Sequence, residues 1–236
     1  MKPIRILPAV LFVLSLLLGI GLGTLLSPSR AEADNHPLFT LANEQRTILL
    51  ILVDRLKVDA SLTGIWTLIY APSYRVPTWI PVYPAPPSGN TQYADQLAAA
   101  FRLTNDLRPT PAFLDLLSQQ NLVWSGYIVA DTNTIRSTLE FFGLSNPSTA
   151  AQLAAASNPA QDRNLALYNQ ASLFNSLCEA TAAQPADFDL LELYVRVRKY
   201  TRTDFNLYLT FTEWKDFFHS GQHPSCQFPA IENGHP

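Results

Sequence analysis

The sequence predicts an α/β fold, a layered domain in which short apolar strands alternate irregularly with helices. Hydrophobic residues make up 47% of the 236-residue chain, which is enough for a sizeable core. Short runs rich in β-branched and aromatic residues dominate the first half of the chain, and alanine-rich stretches with helical periodicity follow them. No internal repeat interrupts this order.

Three apolar runs in the first half have the length and composition of β-strands. Residues 45–54, "QRTILLILVD", end at an acid, which is typical of a buried central strand. Residues 62–71 and 76–83 predict a second and a third strand, joined by the turn "PSYR". Pro77 and Pro81 each remove a backbone donor, so we expect the third strand at a sheet edge or bulged.

Helices and further strands are predicted after the proline-rich segment 84–90. Helical periodicity covers residues 93–103, and a second helix begins at Pro111, before a fourth strand at residues 122–131. Residues 191–198, "LELYVRVR", predict another strand. The remaining helices are predicted at residues 132–142, 148–156, 162–183 and 210–218.

The N-terminus has the features of a membrane anchor. Lys2 and Arg5 precede an uncharged apolar run, Ile6–Leu26, whose 21 residues would span about 30 Å as a helix, the thickness of the hydrocarbon layer. We therefore predict an anchor in residues 1–27. The alternative is a secretory signal cleaved near Ala33, after the small-x-small sequence "AEA". Either interpretation places the remainder outside the cytoplasm, because a positive flank tends to stay inside.

The rest of the chain divides into a linker, residues 28–44, an extracytoplasmic domain, residues 45–220, and a C-terminal tail, residues 221–236. After Ala33 the chain holds 13 basic and 18 acidic residues, a net charge of −5, so we expect no binding to nucleic acid. Cys178 and Cys226 are the two cysteines. Outside the cytoplasm they could form one disulfide, and the alternative is two unpaired thiols.

The segment "LELYVRVRKYTRTDF", Leu191–Phe205, concentrates positive charge in a chain that has few charged residues. On a strand, Arg196 and Arg198 would share one face and point together. Paired guanidinium groups match phosphate or carboxylate, and Asp204 could orient one of them. This spacing is therefore compatible with an anion site. The alternative is a solvated strand face with local ion pairs.

Asp54 and Arg55 follow the first predicted strand directly. A carboxylate at the carboxyl end of a strand often faces a ligand crevice in an α/β sheet, but an aspartate there also forms turns. Both interpretations of Asp54 stay open. Asp59 lies five residues further on and could join Asp54 around a divalent cation, because such hard ions prefer oxygen ligands.

Taken in order, several of these pieces resemble the LytR-CpsA-Psr family of bacterial cell-envelope proteins. "ILLILVD" resembles its first core strand, and "GIWTLIYAPSYRVPTWIPVYP" resembles its next hairpin. "LELYVRVRKYTRTDF" resembles its tyrosine-x-arginine-x-arginine stretch followed by an aspartate-phenylalanine pair. The resemblance implies a transmembrane anchor followed by a three-layer α/β/α domain with a central mixed sheet.

The resemblance also implies a ligand. Members of the family attach glycopolymers, carried on polyprenyl pyrophosphate, to peptidoglycan, and magnesium helps to neutralise the phosphates. Carried over to this chain, Arg196 and Arg198 would face the phosphates and Asp54 the metal ion, with Asp204 and Arg55 in support. The expected partner is a polyprenyl-linked glycan or lipid phosphate at the cell membrane.

One departure from the family pattern leaves open whether the chain is an enzyme. Ala85 stands where the family has an arginine that is important for transfer. Loss of a charge-stabilising group should weaken phosphoryl transfer, which depends on positioning and electrostatics. The sequence therefore favours an envelope protein that binds the lipid-linked ligand, with phosphotransferase activity in doubt. The alternative is a noncatalytic envelope scaffold or interaction domain.

Overall fold

The computed structural model describes residues 45–71, 74–87, 89–185, 188–219 and 226–232. The predicted anchor and linker lie outside these ranges. Within them, no helix is both long and apolar enough to cross a membrane.

A five-stranded mixed sheet forms the centre of the domain, in the order β3-β2-β1-β4-β5. The strands are β1 (Arg46–Val53), β2 (Leu62–Ala71), β3 (Tyr74–Tyr83), β4 (Gly126–Asp131) and β5 (Thr201–Thr203). β1 runs parallel to β4, and every other neighbouring pair is antiparallel. The predicted α/β class and the mixed sheet are both confirmed.

β1 lies in the middle of the sheet, and all its residues after Arg46 are buried. This burial explains why its sequence is continuously apolar rather than alternating. Because successive side chains of a strand point to opposite faces, β1 contributes to two separate cores. One core contains Ile48, Leu50 and Leu52, and the other contains Leu49, Ile51 and Val53.

Helices cover both faces of the sheet and complete three layers. They are α1 (Thr91–Ala100), α2 (Pro111–Ser118), α3 (Thr132–Phe141), α4 (Pro147–Ala156), α5 (Arg163–Ala183), α6 (Leu190–Val197), α7 (Leu207–His219) and α8 (Pro229–Glu232). α1 and α2 pack on the face that carries Leu49. α3, α5, α6 and α7 enclose the face that carries Ile48, and α4 packs against α3 and α5.

β3 is an edge strand, as Pro77 and Pro81 predict. Part of the predicted C-terminal tail covers this edge. Gln227 N–H donates to Pro77 O, and Trp79 N–H donates to Gln227 O, each at 2.9 Å. The neighbouring Cys226 forms a disulfide with Cys178 of α5, with the two Cα atoms 6.1 Å apart. Residues 226–232 therefore belong to the packed domain.

The strand predicted at residues 191–198 is wrong, because Leu190–Val197 forms helix α6. The Asp189 carboxylate caps this helix by accepting hydrogen bonds from Leu191 N–H and Glu192 N–H. Its buried side chains, Leu190, Leu193 and Val197, recur at helical spacing. The alternation of valine and arginine resembles a strand, but the spacing of the leucines and the aspartate cap favour the helix.

Candidate functional site

An apolar cavity of about 200 Å³ lies between the sheet and the helices α3, α5, α6 and α7. We call it the α6 cavity. Its lining includes Ile48, Leu50, Ile128, Phe142, Leu193 and Phe211. The sheet and the four helices contribute mostly aliphatic and aromatic side chains to its walls. A cavity with these walls favours a hydrocarbon group over a polar ligand.

A second concavity, of about 370 Å³, adjoins the α6 cavity. Arg198 and Arg202 both line it, together with Tyr194, Phe205 and Asn206, and we call it the arginine groove. Thr201 and Leu207 line both the groove and the cavity, so the two spaces lie on either side of these side chains. An apolar compartment thus lies beside a basic one.

Hydrogen bonds from threonines hold the turn that carries these arginines. Thr134 of α3 donates through Oγ1 to Tyr200 O at 2.7 Å, and its Oγ1 lies 3.3 Å from that of Thr201. Thr201 Oγ1 in turn donates to Val197 O at 2.9 Å. The short 3-10 turn at residues 198–200 is therefore fixed against α3, which positions Arg198 and Arg202 at the groove.

Arg198 and Arg202 have charge available for a ligand. The Arg198 guanidinium lies over the Tyr194 ring, 5.8 Å from its centroid. Arg202 Nη1 donates to Thr201 O at 2.8 Å. Within the described ranges, neither arginine lies within 4.0 Å of a carboxylate. Their positive charge is thus uncompensated at short range, as an anion site requires.

The prediction that Arg196 and Arg198 share one strand face is wrong, because Arg196 lies on helix α6 and Arg198 follows its end. On a helix, two residues two positions apart are separated by about 200° around the axis. Arg196 points to Glu192, which accepts hydrogen bonds from Arg196 Nε at 2.9 Å and from Nη2. Its guanidinium also lies 6.0 Å from the centroid of the Phe141 ring. Arg196 forms an exposed ion pair and does not line the arginine groove.

Asp204 does not orient an arginine through a salt bridge among the described residues. Its Oδ1 accepts a hydrogen bond from Tyr127 N–H at 2.8 Å, so it supports the start of β4. Burial around the carboxylate raises the pKa of Asp204, and the hydrogen bond from Tyr127 N–H partly offsets this effect. Gly126 makes the contact possible, because a Cβ atom at this position would overlap the Phe205 ring.

Asp54 has a turn-forming role in the structure. Asp54 Oδ1 accepts a hydrogen bond from Ser61 N–H at 2.8 Å, and Asp54 N–H donates to Ser61 O at 3.0 Å. Arg55 is exposed beside it, and Asp59 accepts a hydrogen bond from Lys57 Nζ at 3.1 Å. The loop from β1 to β2 is therefore closed by the Asp54 side chain.

Asp54, the expected magnesium ligand, follows β1 directly and lies near the end of the parallel neighbour β4. Asp131, at the end of the parallel neighbour β4, uses Oδ1 to accept hydrogen bonds from Asn133 N–H and Thr134 N–H, and so caps α3. No group of three or more acidic, histidine or cysteine side chains comes together in the described part of the chain. Because Mg²⁺ is often held by one or two carboxylates together with ligand phosphates, the part of this ion stays a prediction.

Ala85, where the resemblance places a missing arginine, is buried in the core between the sheet and α1. The α6 cavity lies on the other face of the sheet. Arg102, another arginine of that region, is exposed and donates to Ala99 O at 3.1 Å. Neither residue brings a charge to the arginine groove.

Comparisons with known proteins identify the fold. No protein-family model matches the sequence, and no curated protein matches it. Protein gbs0355 from Streptococcus agalactiae aligns over 74% of each chain at 12% identity, with a TM-score of 0.54. TagV from B. subtilis aligns over 80% of this chain and 84% of its own at 8% identity, with a TM-score of 0.52. The chain shares the fold of TagV.

TagV is a LytR-CpsA-Psr protein, so the domain has a LytR-CpsA-Psr-like fold. A protein described as a transcriptional regulator from Enterococcus faecalis also aligns, over 79% of this chain and 76% of its own at 13% identity, with a TM-score of 0.50. Proteins with different descriptions thus share this fold, and function has to be argued from the site.

Sequence reasoning singled out the basic segment that borders the arginine groove, but it did not include Arg202 among the candidate residues. The helical spacing of Leu190, Leu193 and Val197 was the signal that could have corrected the strand prediction for residues 191–198. With a helix ending at Val197, Arg198 follows the last turn and Arg202 falls on the next strand, so these two arginines become the candidate pair.

Proposed function

We propose that this domain binds a polyprenyl phosphate or polyprenyl pyrophosphate of the cell envelope, free or linked to a glycopolymer. The lipid tail occupies the α6 cavity, and the phosphate lies in the arginine groove between Arg198 and Arg202. The observation that supports this function best is that the α6 cavity and the arginine groove share two lining residues, Thr201 and Leu207. An amphipathic ligand needs an apolar and a cationic compartment side by side.

The physical chemistry of both compartments fits this ligand class. Burial of hydrocarbon contributes about 25 cal/mol for each Å² removed from water, so the cavity favours the tail without specifying its length. Arginine forks bind phosphate oxygens in two-point contacts, which selects the charged head. The shared fold with TagV is compatible with a role in the cell envelope.

We propose binding rather than phosphoryl transfer as the activity of the domain. Transfer needs several charges around the phosphate, and Ala85 contributes none. The two arginines of the groove can hold a phosphate, but no described carboxylate faces them as a base or a metal ligand. Binding measured with and without magnesium tests the expectation that this ion takes part.

The double substitution Arg198→Gln/Arg202→Gln is expected to weaken the binding of a long-chain polyprenyl monophosphate by about tenfold or more per arginine. Hydrogen bonds to charged groups contribute about 1.5–3 kcal/mol each, and the substitutions remove them while keeping polar side chains. Affinity is measured on the full chain in detergent by native mass spectrometry. The uncharged polyprenol serves as the comparison ligand and should bind equally to both proteins.

Arg196→Gln is the matched control, because Arg196 is an exposed arginine that pairs with Glu192 on the same helix. It should leave the affinity unchanged, and loss of an exposed i,i+4 pair should lower stability by no more than about 1 kcal/mol. Equal loss of binding in the control and the double variant would contradict the assigned groove. Failure of the wild-type chain to bind the lipid would favour the scaffold alternative.

A further inference from the structure

Exposed apolar side chains concentrate on α6 and the first turn of α7. Four of the seven large hydrophobic residues that are exposed in the described ranges lie there. They are Leu191 (57% exposed), Val195 (50%), Tyr208 (39%) and Leu209 (57%). Tyr194 joins the two helices through an edge contact with Tyr208, with ring centroids 5.8 Å apart. We call these five residues the α6–α7 patch. Clustered exposure of this kind indicates an interaction surface, whereas scattered exposed residues are normal.

Positive charge borders the α6–α7 patch. Leu191, Val195 and Arg198 follow one another at i, i+4 and i+7, so they share one side of the helix end. Lys199 comes next, with its Nζ 4.6 Å from the centroid of the Tyr200 ring. Among the residues described, neither cation forms a salt bridge. An apolar face bordered by uncompensated cations is typical of helices that lie in the interface of a lipid bilayer.

The point where the chain enters the domain lies next to α7. Arg46, at the start of β1, has its Nη2 3.9 Å from Glu213 Oε1 of α7. In the sequence, residues 28–44 connect this strand to the apolar run Ile6–Leu26. If that run is a membrane anchor, the described chain begins beside α7, the helix that carries Tyr208 and Leu209 of the patch.

We propose that the α6–α7 patch inserts into the interface of an anionic lipid bilayer. Leu191, Val195 and Leu209 enter the boundary between headgroups and acyl chains, and Arg198 and Lys199 contact headgroup phosphates. Such segments lie about 5–10 Å deep, and anionic lipid attracts the adjacent cations. Docking in this orientation brings the arginine groove to the membrane surface. The docking of the patch does not depend on the proposed function. Only the further step, in which a bilayer lipid enters the α6 cavity, rests on that function.

Site-specific fluorescence on the full chain tests this proposal. Val195→Cys gives one reactive thiol, because the native cysteines are joined in a disulfide. Leu165→Cys is the matched control, since Leu165 is 51% exposed and lies outside the patch, on α5. Both proteins carry an environment-sensitive label and are reconstituted, one chain per nanodisc, in bilayers with anionic lipid and without polyprenyl phosphate. Intact disulfide and unchanged circular dichroism confirm that each variant is folded.

The label at residue 195 should shift its emission to the blue and be quenched by lipids that carry a spin label near the headgroup. The label at residue 165 should show neither effect. In nanodiscs of zwitterionic lipid, the blue shift of the label at residue 195 should be smaller. In anionic lipid, the Lys199→Gln substitution should also reduce this blue shift. A label at residue 195 that stays in water would overturn the proposal. So would a blue shift that the spin-labelled lipids do not quench, because protein rather than lipid would then cover the patch.

Discussion

Removing the Cys178–Cys226 disulfide is expected to destabilise the domain by about 4 kcal/mol. The bridge closes a loop with a sequence separation of 48, and cross-linking a loop of this size lowers the entropy of the unfolded chain by about that amount. Domains of this size have a total stability of roughly 5–15 kcal/mol, so the loss is a large fraction of it.

The structural reason for a large effect is the position of the bridge. Cys178 lines the α6 cavity, and Cys226 begins the segment whose Gln227 pairs with the edge of β3. Without the covalent link, Phe228 and Ile231 must stay buried by their own contacts. We therefore expect the C-terminal segment to detach first, which local hydrogen exchange would show.

Chemical denaturation of the full chain, with and without reductant, measures this effect. The Cys178→Ala/Cys226→Ala variant provides the control, because its midpoint should equal that of the reduced wild-type chain and should not respond to reductant. A midpoint that reductant does not change in the wild-type chain would mean that the bridge contributes no stability or does not form.

Replacing Gln170 with leucine is expected to cost about 3 kcal/mol or more, because each buried polar group that loses its partner costs about 1–3 kcal/mol. Gln170 of α5 is 2% exposed and makes three hydrogen bonds. Its Oε1 accepts from Trp66 Nε1 at 2.6 Å, and its Nε2 donates to Thr63 O and Ala156 O, each at 2.8 Å. This amide joins β2, α5 and the end of α4, and leucine satisfies none of the three groups.

Gly64 shows how closely this amide is fitted, since a Cβ atom there would lie 2.7 Å from Gln170 Oε1. Asn169→Leu is the matched control, because the Asn169 amide bonds only to Leu165 O within its own helix among the hydrogen bonds described. That substitution should change the free energy of unfolding by no more than about 0.5 kcal/mol. Comparable losses in the two variants would show that the Gln170 amide has no special role.

Local composition predicts most of the sheet. The uninterrupted apolar run of β1 indicates a strand buried on both faces, and the prolines of β3 exclude it from a central position, so both placements follow from backbone chemistry. Asp54 was ambiguous for a physical reason. A carboxylate after a strand can face a ligand or close a turn, and the hydrogen bond from Ser61 N–H that shows the turn depends on the fold of the loop.

The candidate site was harder to predict, because one short segment fits two periods. In "LLELYVRVR", Leu190–Arg198, the valines and arginines alternate with a period of two, while Leu190, Leu193 and Val197 follow the helical period. The Asp189 cap and burial against α3 and α7 decide for the helix. That change of period separates Arg196 from Arg198 and brings Arg198 beside Arg202. The α6 cavity depends on long-range packing, which no local pattern contains.

Photo-crosslinking tests most directly whether the α6 cavity holds a lipid tail. The full chain is incubated with a polyprenyl phosphate that carries a diazirine in the tail near the phosphate, irradiated, and digested for peptide mass spectrometry. The proposed function predicts crosslinks to cavity-lining residues such as Phe142, Leu193 and Phe211, suppressed by unlabelled lipid phosphate and by the Arg198/Arg202 double substitution. Crosslinks confined to residues outside the cavity, or unaffected by that substitution, would contradict it.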